Sequence, residues 1–347
     1  MRTPTPVHLV GSLPGPLCDK PATAMEWFLS HSDDAPLTGL PCDRDPRWII
    51  DWLDHLATVP ALEPVRTGAS TGYHDMPTYR LRPGHHLAPG DVAWGMPAHV
   101  EDAFAALDAL RPGSRLRLQV GVPNAFDLAL FAFGSVEDAL RHLPVVRGAV
   151  NGEVAQVAAR WGDRVQFQLE TPAVLVSYHR TPREGWPGLT QLLVGEVARV
   201  LDTVPHGRWV LHLCYGDLGH VPVFLPTDLE PAVEFVNALA DHESDRRLPV
   251  PTVHLPVTAG DAAPPTDPEF YRALRRLRRG VRVIAGVVAE NHPRESREAL
   301  DLVVNALGGP VAGVAAACGY GRRTPEAAAA NLALAVRLAR EISPPGV

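Results

Sequence analysis

Eight short runs of β-branched or otherwise apolar residues recur along the chain. They are PVHLVGS (6–12), LTGLPC (37–42), RLRLQVGV (115–122), RVQFQLET (164–171), RWVLHLCY (208–215), VPTVHLPV (250–257), VRVIAGV (281–287) and VAGVAAACG (311–319). Stretches with apolar residues at helical spacing separate most of them, at 100–110, 136–161, 189–201, 228–240, 268–279 and 295–307. Strands that are apolar almost throughout are buried on both faces, which is the condition of a parallel sheet covered by helices. Eight strand–helix units of this kind predict a (β/α)8 TIM barrel, an α/β fold closed on itself.

One part of the chain breaks the rhythm. The second run is short and flanked by proline, and the segment from 43 to 115 is longer than a single connection needs. Within it, 48–56 predicts a helix and 73–84 (YHDMPTYRLRPG) a hairpin or lid. Residues 43–114 are therefore expected to form an insertion after the second strand, over the barrel mouth. No repeat, low-complexity linker or break in composition divides the chain, so 1–347 is expected to form one catalytic domain.

Composition narrows the function classes. With 347 residues and 46% hydrophobic content, the chain can bury a large core. Its first residues hold no apolar run suited to a signal peptide, and no window approaches the ~20 apolar residues of a membrane span. A cytoplasmic protein is expected. The net charge of -7 offers no electrostatic footprint for nucleic acid or an anionic membrane. Four cysteines, at 18, 42, 214 and 318, are too few and scattered for a disulfide framework, and in a reducing compartment they point to metal binding or catalysis.

The chemistry concentrates in RWVLHLCYGD, where His212 and Cys214 stand two residues apart on a predicted strand. A period of two puts both on one face, near the strand end where barrel enzymes work. Cys318 closes the last strand, in AAACGYGRR. Two thiolates and an imidazole at strand ends suit zinc, which prefers N and S donors in tetrahedral geometry. The plain alternative is that both cysteines are small buried hydrophobes. His254, in TVHLPV, ends the sixth strand next to the one carrying His212, and is a fourth candidate ligand.

The segments HLVGS (8–12), LETPA (169–173), LHLCYGD (211–217) and ACGYGRR (317–323), in that order, resemble the C-terminal catalytic barrel of cobalamin-independent methionine synthase. They also resemble its single-barrel relatives, within the superfamily that includes uroporphyrinogen decarboxylase. The likeness spans nearly the whole chain, and the His-x-Cys motif with the distal Cys-Gly is its most specific part. In that family zinc is held by His, Cys, Glu and Cys and activates a thiol for methylation. The resemblance implies that His212, Cys214 and Cys318 are three of the ligands. The sixth strand has no glutamate, so His254 is expected in its place, making the site one unit less negative. Glu170 matches an acidic residue that contacts the amino group of homocysteine, and Ser12 lies in a motif that cradles the amino acid's carboxylate. Asp43 falls where related single-barrel proteins carry acidic residues. A salt bridge to a neighbouring arginine at the barrel mouth is the plain alternative for Glu170.

After the last strand, Arg322 and Arg323 precede Thr324, Pro325 and Glu326, residues suited to an N-cap and first helical turn. Two arginines beside a helix N-terminus could bind a substrate anion, or could pair with local acids. His85 and His86 lie in a loop with no evident partner. The expected activity is that of a zinc-dependent methyl or alkyl transferase acting on a small thiol or amino acid. Without the N-terminal half that helps the full synthase bind folate, folate is disfavoured as methyl donor, and a corrinoid, another carrier or a different electrophile remains open. A zinc-dependent C–S lyase or hydrolase, a metal-free decarboxylase relative and a non-catalytic ligand-binding barrel are the competing readings. Strand ends carrying Ser, Glu, His and Cys rather than arginine disfavour the decarboxylase.

Overall fold

The computed structural model of the chain describes residues 4–43, 47–73, 75–111, 116–218 and 221–342. Its strands are β1 (Leu40–Pro41), β2 (Leu62–Arg66), β3 (Thr78–Leu81), β4 (Leu118–Pro123), β5 (Val165–Thr171) and β6 (Trp209–Leu213). They continue with β7 (Asp217–Leu218), β8 (Val221–Pro222), β9 (Thr252–Pro256), β10 (Val283–Val288) and β11 (Gly313–Ala316). The helices are α1 (Gly15–Cys18), α2 (Pro21–His31), α3 (Ile50–Leu56), α4 (Met96–Leu110), α5 (Ala125–Phe133) and α6 (Val136–Trp161). After them come α7 (Pro172–Arg180), α8 (Trp186–Leu201), α9 (Glu230–Asp245), α10 (Pro293–Leu307) and α11 (Pro325–Ile342).

Seven strands form a curled parallel sheet in the order β1-β4-β5-β6-β9-β10-β11. The first predicted run does not form a strand. It contributes one residue, Val7, which bridges in parallel to both Leu37 and Val314 and so touches both edges of the sheet. Backbone bonds from Val7 N–H to Pro36 O (2.8 Å) and from His8 N–H to Val314 O (2.9 Å) accompany these bridges. Local chemistry keeps the segment short: Pro4 and Pro6 lack a ladder N–H, and Gly11 and Ser12 take positive φ (138° and 40°) at its other end.

Helices cover the sheet as the apolar spacing predicts. The 136–161 span is helical over those bounds, with the Ser135 hydroxyl capping Asp138 N–H at 3.0 Å. At 268–279 the chain instead winds as a 3-10 helix, Pro268–Arg276. Its buried residues, 270, 271, 273 and 274, recur every three residues, which suits the tighter winding. The apolar core is nearly continuous through the sheet and its helices. Among the described residues no helix is long and apolar enough to cross a membrane.

Between β1 and β4 the insertion builds α3, the antiparallel β2–β3 hairpin and α4. The hairpin lies at 62–81, with Tyr73 in its connecting loop rather than on a strand. Trp52 fastens α3 through its indole N–H to Val92 O (3.0 Å), and Tyr79 donates to Leu53 O (2.7 Å).

Candidate metal centre

Parallel register brings the chemistry together. His212 on β6 is paired with Glu170 on β5 and with His254 on β9. Cys214 follows two residues after His212, on the same face, and Cys318 stands two residues past the end of β11. The donor atoms of His212, Cys214 and Cys318 all lie within 4.8 Å of one another, and all three residues are buried. The two sulfurs are 4.0 Å apart. Tetrahedral zinc with Zn–S bonds of about 2.3 Å would set its sulfurs about 3.8 Å apart, so the spacing fits. Among the described residues no fourth His, Cys, Asp or Glu joins this group.

Both thiols are buried, but their surroundings differ. Cys318 is held well below the usual thiol range, because the Cys214 thiol donates to it and His212 and Arg322 face it. Cys214 is pushed up, since its neighbour already holds the negative charge and burial adds to the penalty. The Arg322 guanidinium approaches Cys318 Sγ through Nη1 at 3.9 Å, and its buried Nε has no acceptor among the described residues.

A cavity of about 580 Å³ opens over these groups. His212, Cys214, Cys318, Ser12, Asp43, Glu170 and Arg322 all line it. The carboxylates of Asp43 and Glu170 converge above Gly121 on β4, where a Cβ would sit 2.7 Å from Asp43 Oδ1 and 3.1 Å from Glu170 Oε1. Glycine is needed there for space. Asp43 Oδ2 accepts the Ser12 N–H at 3.1 Å, and Gln168 Nε2 donates to Glu170 Oε1 at 3.2 Å. Burial and the negative charge of Asp43 push Glu170 up to about 8, so near neutral pH this pair carries one proton.

Two expected site residues lie elsewhere. Arg323 does not line the cavity: its Nε donates to Glu290 Oε1 at 2.9 Å, its Nη1 to Gly319 O at 3.1 Å, and its side chain is buried. An ion pair out of water holds it as structure, not as an anion site. His254, the expected fourth ligand, is fully buried and also does not line the cavity. Both its ring nitrogens are engaged, Nδ1 with His212 Nδ1 at 2.8 Å and Nε2 with Ala316 O at 2.9 Å. Thr324 caps α11 as its type suggests, accepting from Ala327 N–H at 3.2 Å. His85 and His86 are exposed and do not line the cavity.

Other lining residues carry no sequence signal of their own. Trp48, Trp52, Trp94 and Met96 come from the insertion, with Tyr73 from its hairpin loop and Asp217 from β7. Trp52 and Trp94 lie 6.2 Å apart, and Trp48 meets Phe131 edge-on at 5.4 Å. Tyr73 stacks on Phe131 (5.9 Å), and its hydroxyl approaches Gly216, two residues beyond Cys214. Spacing within one element could not reveal a wall assembled from helices, loops and a distant strand.

No protein-family model matches the sequence, and neither does any curated protein. Solved structures do resemble it in fold. A B12-independent methionine synthase from a Shewanella species, in complex with selenomethionine, aligns with a TM-score of 0.62 at 12% identity, over 98% of each chain. A vitamin-B12-independent methionine synthase candidate from Listeria monocytogenes aligns at 0.55 and 13%, over 98% of this chain and 99% of its own. A methyltransferase from Methanosarcina mazei aligns at 0.55 and 13%, over 99% of this chain and 95% of its own. Across nearly its whole length, the chain shares the fold of cobalamin-independent methionine synthase-like proteins.

Proposed function

We propose that this chain is a zinc-dependent transferase that holds a small thiol in the 580 Å³ cavity and directs its sulfur to a methyl or alkyl donor. One observation carries the reading: three buried N and S donors converge within 4.8 Å, on a wall of a cavity large enough for substrate. Structural zinc sites close their shell with four protein ligands, whereas catalytic sites use three and keep a position open. Zinc at such a site supplies acidification of a coordinated thiol, giving a thiolate near neutral pH.

The chain's own groups do the rest. Arg322 sets a positive charge beside Cys318 and balances the thiolates. Asp43 and Glu170 offer a carboxylate pair for an ammonium group, which would draw the proton off Glu170. Ser12, with its N–H already bound by Asp43, leaves its hydroxyl beside Gly319, next to Cys318. Such groups fit an amino-acid thiol of homocysteine type. The aromatic wall offers apolar surface to the alkyl donor.

In this proposal the Val7 segment is the eighth position of a closed (β/α)8 barrel, its double bridging being the support. Residues 43–114 act as a lid within one catalytic domain. A reducing cytoplasm suits its free thiols. A second reading keeps the same donors but places water in the open position, making a lyase or hydrolase, and the protonated Glu170 favours it as an acid–base group. X-ray absorption of the zinc-loaded protein decides. Adding homocysteine should add one sulfur to the shell, whereas an unchanged shell supports water-based chemistry, and protein unable to bind zinc refutes both.

A further inference from the structure

His212 and His254 stand in register on neighbouring strands, their rings stacked with centroids 4.8 Å apart and their Nδ1 atoms 2.8 Å apart. Two ring nitrogens at that separation share one proton. The far side of His254 settles which ring owns it. His254 Nε2 meets the carbonyl oxygen of Ala316 at 2.9 Å, and a carbonyl only accepts, so Nε2 carries a hydrogen. A neutral imidazole carries one N–H, so with its hydrogen on Nε2 the Nδ1 of His254 is an acceptor. The ring is fully buried, packed against His8 and His212. The shared proton therefore belongs to His212 Nδ1, and His254 Nδ1 accepts it.

We propose that His254 is a positioning residue of the metal centre: the path Ala316 O, His254, His212 fixes the His212 tautomer whose Nε2 is left unprotonated as the metal donor. The inference rests on the metal-centre reading above and replaces the expectation that His254 is itself a ligand. The path also ties the two ligand-bearing strands together, since Ala316 ends β11 two residues before Cys318. To reach it from β9, the His254 ring crosses β10 at Gly286. A Cβ at 286 would lie 2.8 Å from His254 Nε2, 2.9 Å from Pro256 Cα and 3.0 Å from Leu255 O. Glycine at that point of a strand otherwise built of Val, Ile and Ala marks where the imidazole passes.

Ring-nitrogen NMR of the metal-free full chain, labelled with 15N-histidine, reads the tautomers directly. The expected result is Nε2–H on His254 and Nδ1–H on His212, and a His212 whose Nδ1 carries no hydrogen would overturn the proposal. Zinc affinity by chelator competition, with X-ray absorption of each loaded protein, gives the second test. His254→Leu should bind zinc about 10–100-fold more weakly without losing a nitrogen from the shell, while His254→Asn, whose amide oxygen can replace Nδ1 as acceptor, should stay within about threefold of wild type. Gly286→Ala should weaken zinc in the same direction as His254→Leu. A nitrogen lost from the shell in either His254 variant makes it a ligand and refutes the positioning role, as does equal affinity in all of them. If His254→Leu does not fold, the NMR measurement and His254→Asn still decide. Wild-type protein that fails to bind zinc sinks the functional proposal and the metal role of His254 with it, while the tautomers, read without metal, distinguish that failure from a wrong hydrogen-bond path.

Discussion

The cavity has two walls of different construction. On the sheet side, His212, Cys214, Cys318 and Glu170 are carried by strand ends, and parallel hydrogen-bond ladders fix their relative heights. On the insertion side, Trp48, Trp52, Tyr73 and Trp94 come from a helix, loops and a hairpin turn, held by ring packing and single bonds such as Trp52 to Val92 O. The sheet wall fixes its side chains through paired backbone, the kind of placement that bond-making chemistry requires. The insertion wall offers area and shape, which suits discrimination between partners. Under the proposed function chemistry falls to the scaffold and selection to the insertion, so substitutions on the two sides should fail in different ways.

The largest effect is expected on the sheet wall. Cys214→Ser or Cys318→Ser removes one of three donors and should weaken zinc by more than about a hundredfold, beyond the loss typical of an outer partner. Metal content of protein purified without chelator checks this, and a full complement of zinc in either variant would break the division at its strongest point. Next in size is Arg323→Met, directed at the frame beneath that wall. It would strand the Glu290 carboxylate, which also accepts from the Asn331 amide at 2.6 Å, with a loss of about 3–5 kcal/mol of stability. Arg322→Met, one residue away, should cost less, since among the described residues its Nε has no acceptor and its contact with the Cys318 sulfur is long, at 3.9 Å. Chemical denaturation of the two variants side by side is the measurement.

That pair also shows how far the sequence could be read. Neighbouring arginines after the last strand looked equivalent, yet one faces the cavity and the other is buried against an acid, because the turn from Gly321 to Thr324 has no period from which to assign a face. Strands have such a period, which is why His212 and Cys214 could be assigned to one face from spacing alone. Cys318 needed only its place at a strand end. His254 was also placed at the right height, but strand spacing is silent on which side of a neighbouring ring its own ring lies, and its role turned on Gly286 across the sheet. The sheet order and most helices followed from patterning. The first strand did not, since prolines before it and positive φ after it reduce it to the bridges at Val7.

A smaller effect, on pH dependence, tests the carboxylate pair where the two walls meet. Glu170 is pushed from its ordinary 4.5 up to about 8 by burial and Asp43. Over that interval the folded chain keeps a proton that the unfolded chain has lost, so stability should fall as pH rises from about 4.5 to about 8 and level off above. Binding of an ammonium group needs the ionised form, so it should tighten over the upper part of the same range. Between pH 7 and 9 the ionised fraction of a group titrating near 8 rises about tenfold, and KM for an amino-acid thiol should fall by about that factor. In Glu170→Gln both dependences should flatten. A KM profile identical to wild type would remove Glu170 from the ammonium site.

The smallest effect belongs to the insertion, and it sharpens the contrast most. Trp94 precedes α4, and the Glu153 carboxylate on α6 accepts both its backbone N–H (3.0 Å) and that of Gly95 (2.6 Å). These backbone bonds do not use the indole, so Trp94→Ala should keep the α4 terminus in place while removing one face of the aromatic wall. Zinc content and the sulfur gained on adding thiol should match wild type. KM for the alkyl donor should rise about two- to tenfold, the size of a lost ring contact of about 0.5–1.5 kcal/mol. A change in the zinc shell would mean that the insertion helps to set the metal geometry. A KM change confined to the thiol would place the donor against some other surface. Only a donor-specific effect with intact metal supports an insertion wall that selects what the sheet wall reacts.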